Sequence, residues 1–253
     1  MKFTRTGVRK MVCLAACVSS AAAAMGCGAV TARAHHLSSG CADHRSVALT
    51  FDDGPNPPFT GQILDVLTTK DVKATFFAEG EAVDAHPDLA RTEAVLGMAV
   101  GSHSYSHPAD LPHISHRDFA ADLMRAENAL SNAIGETPIL YRSPFGHTSD
   151  AMLEEEHRRG YTSIGWDVDS QDWSDASVDR VVSNVLDHAH PGAIVLMHDG
   201  GLSGGNPDRG TTVAALPRII DGLRDQGYSL VTVPEITGMH PYAGGMEAAC
   251  SAS

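Results

Sequence analysis

The chain has 253 residues, 43% of them hydrophobic, and a formal net charge of −13. That length suits one domain with a full apolar core, because α/β barrels reach this size undivided. So acidic a chain is a poor partner for nucleic acid or anionic lipid and suits a neutral or cationic substrate.

The N-terminus stands apart. Lys2, Arg5, Arg9 and Lys10 precede an apolar, Ala-rich run from Met11 to about Val30, and no acidic residue comes before Asp43. This pattern predicts a signal peptide over residues 1–34, cleaved after Thr31-Ala32-Arg33-Ala34, and a secreted, extracellular product. A lipoprotein box, Ala24-Met25-Gly26-Cys27, is the alternative and would anchor the chain at Cys27. Ser19, Ser20, Gly26 and Gly28 interrupt the run, and no later stretch approaches the ~20 apolar residues of a membrane span. Cleavage would remove five basic residues (Lys2, Arg5, Arg9, Lys10, Arg33) and no acid, taking the charge from −13 to −18. Of the five cysteines only Cys41 and Cys250 lie beyond this segment. In an oxidising compartment these two are expected to pair, for about 5 kcal/mol on chain-entropy grounds.

Residues 35–45 resemble a linker. Seven short apolar runs then read as strands: Val47–Phe51, Ala74–Ala78, Met98–Ser102, Ile139–Arg142, Thr162–Trp166, Ala193–His198 and Ser229–Val233. Helical spacing lies between them, over Phe59–Thr69, His116–Ile134, Ser177–His188 and Val213–Gln226. About seven alternations over residues 46–235 predict a parallel sheet with helices outside, closed or nearly closed into an α/β barrel. Residues 236–253 are left as a C-terminal tail. In such a barrel the active site sits at the C-terminal ends of the strands.

Those ends carry reactive side chains. The first strand ends in Thr50-Phe51-Asp52-Asp53-Gly54-Pro55, the third in His103-Ser104-Tyr105-Ser106-His107, and the fourth in Arg142-Ser143-Pro144-Phe145-Gly146. The fifth runs into Asp167-Val168-Asp169-Ser170-Gln171-Asp172-Trp173, and the sixth ends in Leu196-Met197-His198-Asp199. His103 and His107, four apart, share one face if they lie on a helical turn, the arrangement of a metal pair. Two imidazoles and a carboxylate, which Asp53 can supply, leave an open coordination position. Asp52 and Asp53 would point to opposite sides of an extended strand and serve different partners. His198 can donate a proton if a carboxylate such as Asp172 orients it, and Arg142 can pair with Asp52.

In order and spacing, these five motifs resemble those of the polysaccharide deacetylase family, the NodB-homology domain, over about residues 45–235. The resemblance implies a distorted (β/α) barrel and a metal-dependent hydrolase of glycan acetyl groups. It looks most like secreted acetylxylan esterases and chitooligosaccharide deacetylases. It implies Asp52 as catalytic base, steadied by Arg142, and Asp53, His103 and His107 as metal ligands. It implies His198 as general acid oriented by Asp172, a backbone N–H from Phe145, and an acetyl pocket walled by Trp173 and Leu196. Phe145 stands where many relatives have Tyr, which removes a phenol oxygen and keeps the N–H. Zinc is the favoured cation, with cobalt and other divalent ions also suited to two His and one Asp. Chitin, peptidoglycan and xylan all remain open as substrates, and a non-catalytic glycan-binding protein is the remote alternative.

Overall fold

The computed structural model describes residues 36–41, 45–201 and 208–244. Among these, nine strands form one sheet: β1 (His36–Leu37), β2 (Ser46–Asp52), β3 (Thr75–Ala78), β4 (Ala99–Ser102), β5 (Leu140–Tyr141), β6 (Thr162–Ile164), β7 (Val168–Asp169), β8 (Ala193–His198) and β9 (Ser229–Val231). All pair in parallel, in the order β1-β6-β5-β4-β3-β2-β8-β7, with β9 also on β2. Every expected run contains a strand. The two additional strands, β1 and β7, are two residues each, too short to leave a periodic pattern.

Chain geometry requires the sheet to curl. β6 and β7 lie six strands apart along the sheet, which would separate them by about 29 Å if it were flat. Only residues 165–167 connect them, and four Cα steps reach at most about 15 Å. The two ends must therefore approach, as in a distorted (β/α) barrel. The stretch read as a linker crosses the remaining seam. β1 adds to β6, while Ser39 bridges Ala193 and the Gly40 N–H donates to Gly192 O at 2.8 Å.

Helices cover the outside: α1 (Phe59–Thr69), α2 (Gly80–Ala85), α3 (Pro87–Val95), α4 (His116–Ile134), α5 (Asp150–Arg158), α6 (Val178–His188), α7 (Gly210–Asp225) and α8 (Val233–Thr237). α4 and α6 start at Ser115 and Ser177, whose hydroxyls accept the N–H of Asp118 and Arg180, and α4 ends at Gly135 in the left-handed conformation that glycine tolerates. The four expected helices leave out α2, α3, α5 and α8, which are only 6, 9, 9 and 5 residues long and too short to show a clear period. α8 closes the barrel floor with Val233 and Ile236. The expected tail is partly structured, since Pro138 bridges Tyr242 and the Ala243 N–H donates to Thr137 O at 2.9 Å. No helix among the described residues is long and apolar enough to cross a membrane.

Strand parity sorts the core and aims the site. On β2, Val47, Leu49 and Phe51 pack outward against α1, α6 and α7, while Ala48 faces the barrel interior with Phe77, Leu140, Ile164 and Ile194. The two-residue period then sends Thr50 and Asp52 inward as well. The same counting places His198 above Ile194 on β8 and Arg142 above Leu140 beyond β5. Gly101 lies beneath His103 because a Cβ there would come within 2.8 Å of the Phe77 ring and 3.1 Å of Leu140. The polar residues thus form the top layer of an otherwise apolar interior.

Candidate active site

Arg142 is the base of the site. It is fully buried, above the Phe77 ring with its Cζ 4.1 Å from the centroid. One terminal nitrogen donates to Asp52 Oδ1 and to Thr50 Oγ1, both at 2.7 Å. Nε donates to Ile164 O at 3.2 Å and the other terminal nitrogen to Gly165 O at 2.9 Å. Four acceptors therefore fix the planar guanidinium, and Asp52 is held in one orientation with a fixed positive charge behind it.

Asp53 departs from the strand. Its φ of 73° turns the chain over, so the two carboxylates do not diverge as an extended strand would have them. Both approach the Nε2 of His103, Asp52 Oδ2 at 3.9 Å and Asp53 Oδ1 at 3.3 Å. The Nε2 of His107 lies 3.4 Å from the same Asp53 oxygen. His103 and His107 do not share a helical turn either. Ser104 and His107 adopt φ of 66° and 44°, and the Ser104 hydroxyl accepts the His107 N–H at 3.0 Å. Asp122 of α4 accepts the Tyr105 N–H at 2.7 Å and the Ser106 hydroxyl at 2.7 Å, pinning this turn from behind. The imidazoles converge to a centroid separation of 5.0 Å by a tight turn rather than by helical periodicity.

Asp53, His103 and His107 can each offer one ligand atom, and the three atoms lie within 4.8 Å of one another. The donor set fits a divalent cation. Asp53 Oδ1 is buried without a hydrogen-bond partner. Nδ1 of His103 bonds Arg142 O at 2.8 Å, which leaves Nε2 to face Asp53; against burial, Asp52 and Asp53 raise this imidazole's pKa, so a cation would take the place of its Nε2 proton. Burial, followed by the charge of His103, pushes His107 down to about 4, so its imidazole is neutral as a ligand must be. Burial acts against ionisation of Asp53, yet His103 beside it, with His198 beyond, holds that carboxyl well below its ordinary range.

On the neighbouring strand β8, beside Asp52, His198 is held by Asp172: Asp172 Oδ1 bonds the Nδ1 of His198 at 2.7 Å, and Asp172 Oδ2 accepts the His198 backbone N–H at 2.8 Å. Burial lowers the His198 pKa, but Asp172, with Asp53 and Asp52 beyond it, outweighs that and raises it to about 9. Nδ1 is engaged, so among the described residues Nε2 is the ring nitrogen left for a substrate.

Of the expected residues, Asp52, Asp53, His103, His107, Phe145, Trp173, Leu196 and His198 line one cleft of about 660 Å³. Arg142 and Asp172 lie behind its wall. Phe145 and Trp173 are 55% and 57% exposed and flank the opening. The Phe145 ring packs on His107 with centroids 4.6 Å apart, and Asp169 accepts the Trp173 indole N–H at 3.3 Å. Cys41 is disulfide-bonded, while Cys250, the partner expected for it, lies outside the described residues. The signal segment and Cys27 lie outside them as well. Among the described residues six non-glycine residues have positive φ, and three of them (Asp53, His107, Phe145) line this cleft. Such conformations are costly and gather where a site over-determines the backbone.

Sequence reasoning missed several supporting groups. Thr50 on β2 and Thr212 on α7 bond Arg142 and Asp172, and Arg209 lines the cleft while bonding Gly200 O at 2.5 Å. Asp199 accepts the Thr60 hydroxyl at 2.5 Å, and the N–H groups of Asp199 and Gly200 hold Asp52 O at 3.1 and 3.2 Å. Only Thr50 and Asp199 had a signal, their place inside the motifs.

A buried Asp–Arg pair, an Asp–His–His cluster and a His–Asp pair around one cleft define a hydrolytic centre on an α/β barrel. Comparison with known proteins gives the family. The family model described as polysaccharide deacetylase matches residues 39–164. A chitooligosaccharide deacetylase of Sinorhizobium fredii is 39% identical over 196 residues, covering 75% of this chain and 91% of its own. The crystal structure of the Bc1960 peptidoglycan N-acetylglucosamine deacetylase superposes with a TM-score of 0.74 at 34% identity, covering 79% of this chain and 92% of that one. A family 4 carbohydrate esterase from Streptomyces lividans, in complex with acetate, superposes with a TM-score of 0.67 at 35% identity, covering 75% and 93%. The chain belongs to the polysaccharide deacetylase family, whose enzymes are metal-dependent carbohydrate deacetylases.

Proposed function

We propose that this chain hydrolyses the acetamide of N-acetylglucosamine units in chitooligosaccharide or peptidoglycan, with Asp52 as base and His198 as acid. The observation that carries the reading is that these two groups stand side by side at the ends of β2 and β8, in the cleft that the Asp53–His103–His107 cluster also lines, each with its own buried partner. A divalent cation held by those three residues, with zinc proposed ahead of cobalt, would supply Lewis acidity to a water and to the acetyl carbonyl. Asp52, fixed in place by Arg142 at 2.7 Å, takes the proton of the attacking water. The Phe145 N–H, presented by a strained turn, donates to the developing oxyanion. Trp173 and Leu196 wall the acetyl methyl. His198, protonated at neutral pH, gives the Nε2 proton to the departing amine, a poor leaving group until it is protonated. The names of the Sinorhizobium and Bc1960 relatives favour N-acetylated substrates.

O-deacetylation of acetylxylan is the second reading, favoured by the likeness to the Streptomyces carbohydrate esterase. The two separate in one assay of acetate release from chitooligosaccharide, peptidoglycan and acetylxylan, before and after chelation and metal restoration. We expect release from an N-acetylated glycan, lost on chelation and restored by zinc. Release from acetylxylan alone would replace this reading with the second. No release from any of them would leave a glycan-binding protein.

Export is part of the proposal, supported by the basic and then apolar N-terminus. N-terminal sequencing of protein from the culture medium should begin at His35, and lipid-modified protein beginning at Cys27 would overturn soluble secretion.

A further inference from the structure

Thr212 reaches the site from α7, a helix that supplies no residue of the five motifs. It is 1% exposed, and its hydroxyl donates to Asp172 Oδ2 at 2.7 Å. The Asp172 carboxylate thus receives three donors: His198 Nδ1 on Oδ1, and the His198 N–H and Thr212 hydroxyl on Oδ2. Two of the three come from His198 itself. Thr212 is the one that ties the carboxylate to a separate rigid element.

The rest of the loop is held from another side. Ser170 Oγ accepts the Asp172 N–H at 3.2 Å, and Asn184 of α6 donates to Ser170 O at 2.9 Å. These bonds fix where the Asp172 backbone sits but not how its carboxylate is rotated. Rotation about the last side-chain bond would keep one contact to His198 and lose the other. A third donor, arriving from α7, selects the rotation in which Oδ1 faces Nδ1. A hydroxyl bonded to a carboxylate also favours its ionised form, which in turn favours the imidazolium.

We propose that Thr212 is a positioning residue for the proton donor: it holds Asp172 in the plane that presents Nε2 of His198, protonated, to the leaving group. This rests on His198 as the acid of the proposed function. Charged groups facing His198 from the packed elements are Asp172, Asp52 and Asp53, with Asp169 and Arg209 lining the same cleft. All but Asp172 are independent of Thr212, so loss of its hydroxyl acts through Asp172 alone.

The test compares Thr212→Val, which keeps the shape and removes the hydroxyl, with Thr212→Ser, which keeps the hydroxyl. Metal-replete enzyme is assayed for acetate release from chitooligosaccharide across pH. Thr212→Val should lower kcat about 10-fold, leave KM unchanged, and move the alkaline limb of kcat/KM down by about one pH unit. Thr212→Ser should restore both. If Thr212→Val fails to fold, Thr212→Ala takes its place with the same expectation. In an Asp172→Asn background the Thr212 change should add nothing. A wild-type alkaline limb in Thr212→Val, or Thr212→Ser falling as far as Val, would overturn the proposal and make Thr212 a packing residue. His198→Gln separates the premises. If it retains turnover, the acid assignment fails; if it abolishes turnover while Thr212→Val changes nothing, only the role of Thr212 fails.

Discussion

Asp52 and Asp53 are adjacent, and both direct a carboxylate oxygen at the same nitrogen, Nε2 of His103, at 3.9 and 3.3 Å. Two like charges so placed would repel each other unless each had a counter-charge. Asp52 has Arg142 at 2.7 Å. Asp53 has His103 at 3.3 Å and, when the site is loaded, the cation. The pair is stable because its two members are neutralised from different directions.

That asymmetry predicts different failures. Asp52→Asn should retain the bound cation and lose turnover by about 10²–10⁴-fold, the range of a positioned base. Asp53→Asn should lose the cation itself. Metal analysis of the purified proteins, beside acetate release, reads both. Comparable metal loss in the two variants would contradict the division of roles.

Gly200 predicts that the Asp53 turn is sterically enforced. A Cβ at Gly200 would lie 1.9 Å from Asp53 O and 2.6 Å from Gly54 N, both backbone atoms that cannot step aside. Gly200→Ala should therefore displace Asp53 and cost both cation affinity and activity. Gly61 in α1 is the control, since a Cβ there meets nothing within 4 Å. Gly61→Ala should raise stability by about 0.5–1 kcal/mol with unchanged activity. Thermal melts and metal content of the two variants check the contrast.

The readable part of the site was its placement. Apolar runs such as Ile194–Met197 mark strands, and the residue after each run marks a strand end, so one rim could be assembled without coordinates. Strand periodicity, which is local, carries Asp52, His198 and Arg142 inward. It failed where the chain leaves the strand. The φ of Asp53 depends on Gly200, and the convergence of His103 and His107 depends on Asp122, each remote in sequence. Thr212 had no local signal, since a threonine in an amphipathic helix looks like any other packing residue.

Glu156 gives stability a pH dependence separate from catalysis. It is 1% exposed between α5 and the sheet, and neither carboxylate oxygen has a hydrogen-bond partner among the described residues. Burial raises its pKa from 4.5 to about 7. The folded pKa lies above the unfolded one, so this stabilisation is complete below the unfolded pKa and is lost as pH rises through the folded value. The change amounts to on the order of 3 kcal/mol. Glu156→Gln should remove that slope while leaving stability near neutrality equal or higher. Denaturant midpoints at several pH values across this window provide the measurement, and an unchanged slope in the variant would assign it to another group.

Arg142 predicts a coupling between stability and the catalytic base. Its guanidinium is fully buried, so Arg142→Met leaves Asp52 as an uncompensated buried charge, at a cost of about 3–5 kcal/mol. Arg142→Lys keeps the charge but cannot span Asp52, Thr50, Ile164 O and Gly165 O together, and it should lose activity by more than it loses stability. The double variant Asp52→Asn/Arg142→Met removes both charges and should recover much of the lost stability without recovering turnover. Unfolding free energies for the two single variants and the double variant give the coupling energy directly. Additive losses would mean that Arg142 holds the barrel interior together through its backbone acceptors and the Phe77 ring, and that its pairing with Asp52 is incidental to the fold.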